Sequence, residues 1–557
     1  MTDTDTETDT SFAIGSPRFA DQSALELCHR EGALAAWRKV GSQGIGAVTG
    51  NFAVGVHEAG GRSWIAVDRF GIESICWRIA GGRLQFAERA DQLAGADAEV
   101  SPQAIFDYLY FHSIPSPRTI FKDVYRLPPG HFAVFENGRI SVAPYWHATF
   151  EEPRNADFDS LAVQFRHLLR ESVEAQLDGS KAACFLSGGT DSSTVAGMAA
   201  EVSGKPPATY SIGFDAQGYD EMAFARIAAK HFNTEHHEYY VTPGDLVAGI
   251  GAIASHFDQP FGNSSALPSY YCAKMAREDG VTRLLAGDGG DELFGGNSRY
   301  AKQRVFGWWD QVPRSLRSGL MEPMLERRGD SNITLLRKAA SYVEQAKVPM
   351  PDRLQMYNLI LRLGPANVLT PGMLDQLDQA APLTQQRQIW SQAGDCSHLN
   401  RQLAFEWRYT LAESDLPKVR GATSLAGVEV GFPLLDQRLL DFSCGLPTDY
   451  KLKGLKLRWF FKEALRGFLP NEIIAKKKQG FGLPFGVWAN QYAPLNALAR
   501  ESLKGIAARG VVRRDFVDDL LDRRLAEHPG YYGEMVWILM ILEQWLRAKA
   551  PSFRIGA

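Results

Sequence analysis

Phe185-Leu186-Ser187-Gly188-Gly189-Thr190-Asp191-Ser192-Ser193 is the stretch on which the reading of this chain turns. It overlaps Lys181-Ala182-Ala183-Cys184-Phe185-Leu186, a short apolar run of the kind that forms a buried strand. Behind it, Ser193-Thr194-Val195-Ala196-Gly197-Met198-Ala199-Ala200 has the small, helix-compatible residues of a following helix. The stretch is therefore a loop between a strand and a helix. Gly188 and Gly189 let the backbone approach an anion closely, and the N–H groups of the helix start add donors and a favourable dipole. Asp191 would repel phosphate on its own, so its place here points to a divalent cation, magnesium, between carboxylate and phosphate oxygens. A capped glycine turn would look much the same in isolation, so the rest of the chain has to decide.

Two further strands of a parallel sheet are read at Ala208-Thr209-Tyr210-Ser211-Ile212-Gly213-Phe214 and Thr282-Arg283-Leu284-Leu285-Ala286. The second leads into Gly287-Asp288-Gly289-Gly290-Asp291-Glu292-Leu293-Phe294-Gly295-Gly296, where glycines again alternate with acids after a strand. Such a loop would lie at the carboxyl edge of the sheet, where α/β folds bind ligands. Asp191 and Asp291 are then placed to share one magnesium. A third element, Lys476-Lys477-Lys478-Gln479-Gly480-Phe481-Gly482, sets lysines against a turn that would fold them over the same site. An ammonium there would stabilise charge on pyrophosphate or on a tetrahedral oxyanion.

The chain has 557 residues, 45% of them hydrophobic, enough for two or more domains. Sixty Lys and Arg against 64 Asp and Glu give a net charge of −4, which supplies no global attraction to nucleic acid or to an anionic membrane. The six cysteines are scattered without metal-like or redox spacing and read as reduced core residues of a cytoplasmic protein. Residues 1–12 are an acidic tail expected to be disordered, with no secretory signal. Met535-Val536-Trp537-Ile538-Leu539-Met540-Ile541-Leu542 falls short of the ~20 residues needed to span a bilayer and predicts a buried C-terminal helix. From about residue 46 to 145, short alternating runs with glycine turns predict antiparallel strands. The polar, proline-broken segment Glu151 to Asp157 marks a boundary, giving domains at 13–150 and 158–550.

Taken together, these motifs resemble the asparagine synthetase family over nearly the whole chain after the tail. Ser187-Gly188-Gly189-Thr190-Asp191-Ser192 resembles its pyrophosphate-binding motif, and Ser211-Ile212-Gly213-Phe214 the strand whose backbone meets adenine. Gly287 to Gly296 is similar to its second acidic motif, Lys478-Gln479-Gly480-Phe481-Gly482 to its late lysine loop, and Asp258 to Ala266 to a loop that is usually more acidic. The resemblance implies an α/β plus α+β architecture. An Ntn-hydrolase-like antiparallel β-sandwich would precede a parallel-sheet synthetase domain of the PP-loop, adenine-nucleotide α-hydrolase-like type, with a helical C-terminal part. It implies an ATP-dependent carbon–nitrogen ligase that adenylates a carboxylate, so that an amine displaces AMP and forms an amide. Ser187, Gly188, Gly189, Thr190, Asp191, Ser192, Ser211, Ile212, Gly213, Gly287 and Gly289 would bind ATP and pyrophosphate; Asp191 and Asp291 would hold magnesium. Lys478 would stabilise the intermediates, Asp288 would contact substrate or shuttle a proton, and Glu413 or Asp415 would be the base.

Gly50-Asn51-Phe52-Ala53-Val54, Asp68-Arg69-Phe70-Gly71-Ile72 and Arg126 to Phe132 resemble scaffold segments of the family's glutamine-hydrolysing domain. That domain needs a cysteine directly after the initiator methionine, where this chain has Thr2. Cys28, the first cysteine, sits in an amphipathic helical pattern and is expected to be packed rather than nucleophilic. Glutamine hydrolysis is therefore expected to be lost, as in β-lactam synthetase, carbapenam synthetase and the lasso-peptide macrolactam cyclases, whose amine comes with the substrate. Arg420 and Gly421 stand where ordinary asparagine synthetases carry Asp-Arg, which argues against free aspartate. The leading expectation is a lactam- or macrolactam-forming ligase acting on a peptide or small carboxylate, together with a precursor peptide or partner biosynthetic enzyme. The alternatives are an amidating ligase using external ammonia on aspartate or a sugar acid, and a non-catalytic nucleotide-binding subunit.

Overall fold

The computed structural model describes residues 10–556 apart from 96–97, 154–155, 178, 180, 217, 311–312, 314–315, 317–333 and 478–481. Eight strands come first: β1 (Phe12–Gly15), β2 (Phe52–His57), β3 (Ser63–Val67), β4 (Cys76–Ala80), β5 (Arg83–Ala87), β6 (Tyr125–Arg126), β7 (His131–Glu136) and β8 (Arg139–Pro144). They form two antiparallel sheets, ordered β1-β2-β3-β7-β8 and β5-β4-β6. Strand alternation explains the layering. Ala53, Ile65, Val67 and Phe135 pack with Trp77 and Phe86 between the two sheets. Phe52, Val54, Val56 and Trp64 point the other way, onto Ala24 and Trp37 of the helices Gln22–Glu31 and Ala33–Val40. Strand β1 begins at Phe12, the last residue assigned to the tail from sequence, and residues 1–9 lie outside the described part.

The second unit is built on β9 (Ala183–Phe185), β10 (Ala208–Phe214), β11 (Glu235–Val241), β12 (Arg283–Leu285) and β13 (Glu429–Gly431), all parallel and ordered β11-β10-β9-β12-β13. Neighbouring strand residues serve opposite faces. Ala183 and Leu284 pack under helix Ala266–Glu278, whereas Cys184 and Leu285 pack with the helices Phe158–Glu174 and Thr190–Ser203. Burial on both faces is why these strands read as continuous apolar runs. Strand order reverses between β9 and β12, so the loops that follow these two strands emerge side by side at the crevice where open α/β sheets take ligands.

Met535 to Leu542 is fully buried within helix Pro529–Lys549, as its apolar run predicts. This helix shares a core with helix Pro102–Phe111 of the N-terminal unit, and the Tyr108 hydroxyl donates to the Ile538 carbonyl at 2.8 Å. The two units thus meet in a common core, although the sequence separates them at 151–157. The cysteines are free thiols, with Cys76, Cys184, Cys272 and Cys444 buried. Among the described residues no helix is long and apolar enough to cross a membrane.

Candidate active site

A cavity of about 1180 Å³ opens at the carboxyl ends of β9, β10 and β12. Its floor is the loop after β9. Gly188 has φ +65, and a Cβ on it would overlap Phe224 and the Ala225 backbone, so only glycine allows this turn. The turn delivers the chain to helix Thr190–Ser203, whose cap, Gly189, makes no side-chain cap bond. The Ser187 N–H donates to Ser192 Oγ at 3.1 Å, and the Gly189 N–H to Ser187 Oγ at 3.3 Å. These bonds fold the loop around the helix start, which carries the partial positive charge suited to a phosphate. The loop after β12 lies directly against it. A Cβ on Gly287 would stand 2.6 Å from the Ser192 nitrogen and 2.8 Å from the Asp191 carbonyl carbon.

This approach brings Asp191 and Asp291 together. One guanidinium nitrogen of Arg458 lies 2.5 Å from Asp191 Oδ2 and 2.8 Å from Asp291 Oδ1. Asp191 Oδ1 is buried with no hydrogen-bond partner, and such a carboxylate oxygen is suited to a cation. Among the described residues no group of three or more carboxylates, histidines or cysteines gathers at metal-binding spacing. Magnesium at nucleotide sites typically takes only one or two carboxylates and completes its shell with phosphate oxygens and water, so a two-carboxylate site fits it.

A further wall of the cavity carries Thr410, Asp415 and Lys418. It is π-helical over Trp407–Asp415 and continues as α-helix Leu416–Ala426; π-turns of this kind are frequent at functional sites. Lys418 Nζ lies 3.1 Å from Asp415 and 3.6 Å from Asp288. Burial alone would lower this ammonium, but the two carboxylates raise it above its ordinary value, so it stays charged. Burial pushes Asp288 upward, opposed chiefly by Lys418. Glu292, also on the cavity, is pushed up to about 8 by burial and by Asp415.

Of the residues singled out in the sequence, Ser187, Gly189, Thr190, Asp191, Ser192, Ser211, Ile212, Gly287, Asp288, Gly289 and Asp291 line this one cavity. Gly188 and Gly213 shape it from behind: Gly188 turns toward Phe224 and Ala225, while Gly213 packs against Tyr240 and Asp220. Lys478 lies outside the described residues. Two residues before it, Lys476 reaches the phosphate loop, donating to the Gly188 carbonyl at 3.2 Å and pairing with Glu221 at 3.2 Å.

The assignment of Glu413 as base is corrected. It faces away from the cavity and is 3% exposed. It accepts from the Ser116 N–H at 3.1 Å, from Ser116 Oγ at 2.8 Å, from Arg126 at 2.5 Å and from Arg408. Burial would raise its carboxyl, but Arg408, Arg126 and Ser116 hold it below the ordinary range, which suits an ion pair and not a proton acceptor. Asp415, the other base candidate, does face the cavity. The sequence motifs did not include Arg458, whose only local signal is one arginine in the basic run Lys451 to Arg458, or Lys418, two residues before Arg420.

The asparagine synthase family profile matches residues 164–547, and a glutamine amidotransferase domain profile matches residues 27–146. The chain belongs to the asparagine synthase family. It is 25% identical over 489 residues to asparagine synthetase [glutamine-hydrolyzing] 1 of Bacillus subtilis, covering 86% of this chain and 74% of that protein. It is 24% identical over 441 residues to asparagine synthetase [glutamine-hydrolyzing] 3 of the same organism, covering 75% and 64%. It is also 23% identical over 536 residues to amidase chyE of Penicillium rubens, covering 87% and 76%. Family membership makes the chain an asparagine synthetase-like, ATP-dependent ligase.

Proposed function

We propose that the protein joins a carboxylate to an amine in two half-reactions within one cavity: adenylation of the carboxylate with release of pyrophosphate, then displacement of AMP by the amine. The observation that carries this reading is the meeting of the two glycine-acid loops, with Asp191 and Asp291 bridged by one cation and a helix start beside them. Asp191 and Asp291 would hold magnesium, which would neutralise charge on the phosphates. Ser187, Thr190 and Ser192 would receive the pyrophosphate portion, with Lys476 closing the loop from above. Tyr210, Ile212, Pro268 and Cys272 form an apolar end suited to adenine. Asp288 and Asp415 flank the Lys418 ammonium, so a proton leaving the incoming amine would have two carboxylates within reach. Lys478 would stabilise the oxyanion of the tetrahedral intermediate.

The amine comes with the acceptor or from outside the chain, not from glutamine hydrolysed in the N-terminal unit. Cys28 sits partly buried in helix Gln22–Glu31, packed on the core around Trp37, which does not suit it to act as a nucleophile. The cavity of about 1180 Å³ has room for an acceptor beside the nucleotide, and the acceptor class we propose is one that closes a lactam or macrolactam ring. Reaction with an ¹⁸O-carboxylate tests the chemistry: one label passes to AMP if the carboxylate is adenylated, and label-free AMP would contradict it. Assay of the purified chain with glutamine tests the nitrogen source, with no glutamate release expected.

A further inference from the structure

We infer that the N-terminal unit is a brace for the acceptor wall of the cavity, with Arg126–Glu413 and Glu73–Arg420 as its positioning pairs. The inference rests on the ligase reading above, which gives that wall its role. Segment Trp407–Ala426 has two working faces. Thr410, Asp415 and Lys418 turn to the nucleotide cavity, whereas Glu413 and Arg420 turn to a second cavity of about 570 Å³ between the two units. On this rear face the N-terminal unit supplies most of the partners. Ser116 and Arg126 hold Glu413, and Arg408 completes the cluster by donating to the Ser116 carbonyl at 2.6 Å. Arg420 pairs with Glu73 at 2.5 Å and with Glu88 at 3.4 Å, and Asn51 fixes the other Glu73 oxygen at 2.7 Å.

The loop 258–266 is held from the same side. Asp258 accepts from the Ala90 N–H at 2.9 Å, Gln259 from the Ile120 N–H at 3.3 Å, and the Gly262 N–H donates to the His112 carbonyl at 2.8 Å. At its far side Asn263 and Ser265 line the nucleotide cavity, and Asn263 donates to Ser414 at 3.1 Å, tying the two braced segments together. Residues of the N-terminal unit thus grip, from behind, both of these cavity-lining segments. Glu413 is 3% exposed, with Arg126 at 16% and Arg408 at 14%. Replacing such a buried pair by apolar groups is often neutral or better for stability, so its use here is to fix the register of the π-turn.

The test uses the full chain with Arg126→Ala, Glu73→Arg, Arg420→Glu and the charge-swapped double variant Glu73→Arg/Arg420→Glu. Hydrogen exchange is expected to quicken in 258–266 and 407–426 in the single variants while 183–203 keeps its protection. With a carboxylate that supports turnover, kcat is expected to fall about 100-fold, the cost of a displacement of about an ångström, with KM for ATP unchanged. The swapped pair is expected to recover most of the loss. Unchanged exchange in both braced segments would overturn the brace. So would a parallel loss of ATP affinity and kcat without recovery by the swap, which would mark general destabilisation. If the unmodified chain activates no carboxylate, the ligase reading fails while the exchange data still decide whether the unit braces those segments.

Discussion

Asp191 and Arg458, 267 residues apart in the chain, meet at 2.5 Å at the head of the phosphate loop, and the same guanidinium nitrogen reaches Asp291. The side chain of Arg458 is only 7% exposed, so it is the cation that allows two carboxylates to stand this close in a partly buried site.

Arg458→Ala should therefore destabilise the fold by roughly 3–5 kcal/mol, the usual cost of leaving buried charges uncompensated. Magnesium should restore part of that loss, because Asp191 and Asp291 are the residues that would hold it. Urea unfolding with and without magnesium chloride is the check. Stabilisation by magnesium should be larger in the variant than in the parent, and equal stabilisation would contradict a shared site.

Gly287→Ala inserts a methyl group 2.6 Å from the Ser192 nitrogen, where backbone faces backbone. The two loops must part by a fraction of an ångström to about an ångström, so turnover should fall on the order of 100-fold with the fold retained. Calorimetric titration with ATP and a thermal melt separate loss of the site from loss of the protein. Wild-type turnover in this variant would show that the contact of the two loops is not what builds the site.

Two neighbouring lysines should behave differently. Lys476 holds the Gly188 carbonyl and Glu221, so Lys476→Ala should weaken ATP binding by about 1.5–3 kcal/mol, the range for hydrogen bonds to charged groups. Lys478→Ala should leave ATP binding intact and abolish amide formation, since its role is charge stabilisation in the transition state. Binding and turnover measured on both variants decide this. Equal loss of binding in the two would merge their roles.

Acid should loosen the domain interface only at low pH. Arg408 and Arg126 outweigh burial and hold Glu413 below its ordinary value of 4.5. A carboxylate with a depressed folded pKa contributes stability that is complete above its unfolded value and is lost as pH falls through its folded value. Protection of 407–426 should be flat from about pH 6.5, where Glu292 is already protonated, to about pH 5, after correction for intrinsic exchange, and fall only below 4.5. Glu413→Gln should remove that acid limb. An onset nearer neutrality would mean another group controls the interface.

Much of this was readable from local pattern. The strand at Ala208 to Phe214, the loop Ser187 to Ser192 and the buried run Met535 to Leu542 each carry their own signal within about ten residues, and each stands where the pattern put it. Arg458, Lys418 and the rear-face role of Glu413 carry no such signal. Arg458 matters because β9 and β12 are neighbours, and Glu413 turns away because a π-helical segment changes which residues share a face. Glu413 and Asp415 are two residues apart and both carry a carboxylate. Only the packing of the N-terminal unit against one of them distinguishes an ion-pair anchor from a cavity carboxylate.

The central claim is activation of a carboxylate at the paired loops, and exchange of labelled pyrophosphate into ATP measures it most directly. With a panel of carboxylates that includes linear peptides, exchange should appear for at least one, require magnesium, and vanish in Asp291→Ala. No exchange with any carboxylate, together with ATP affinity unchanged by Asp291→Ala, would contradict the account and leave a nucleotide-binding subunit in its place.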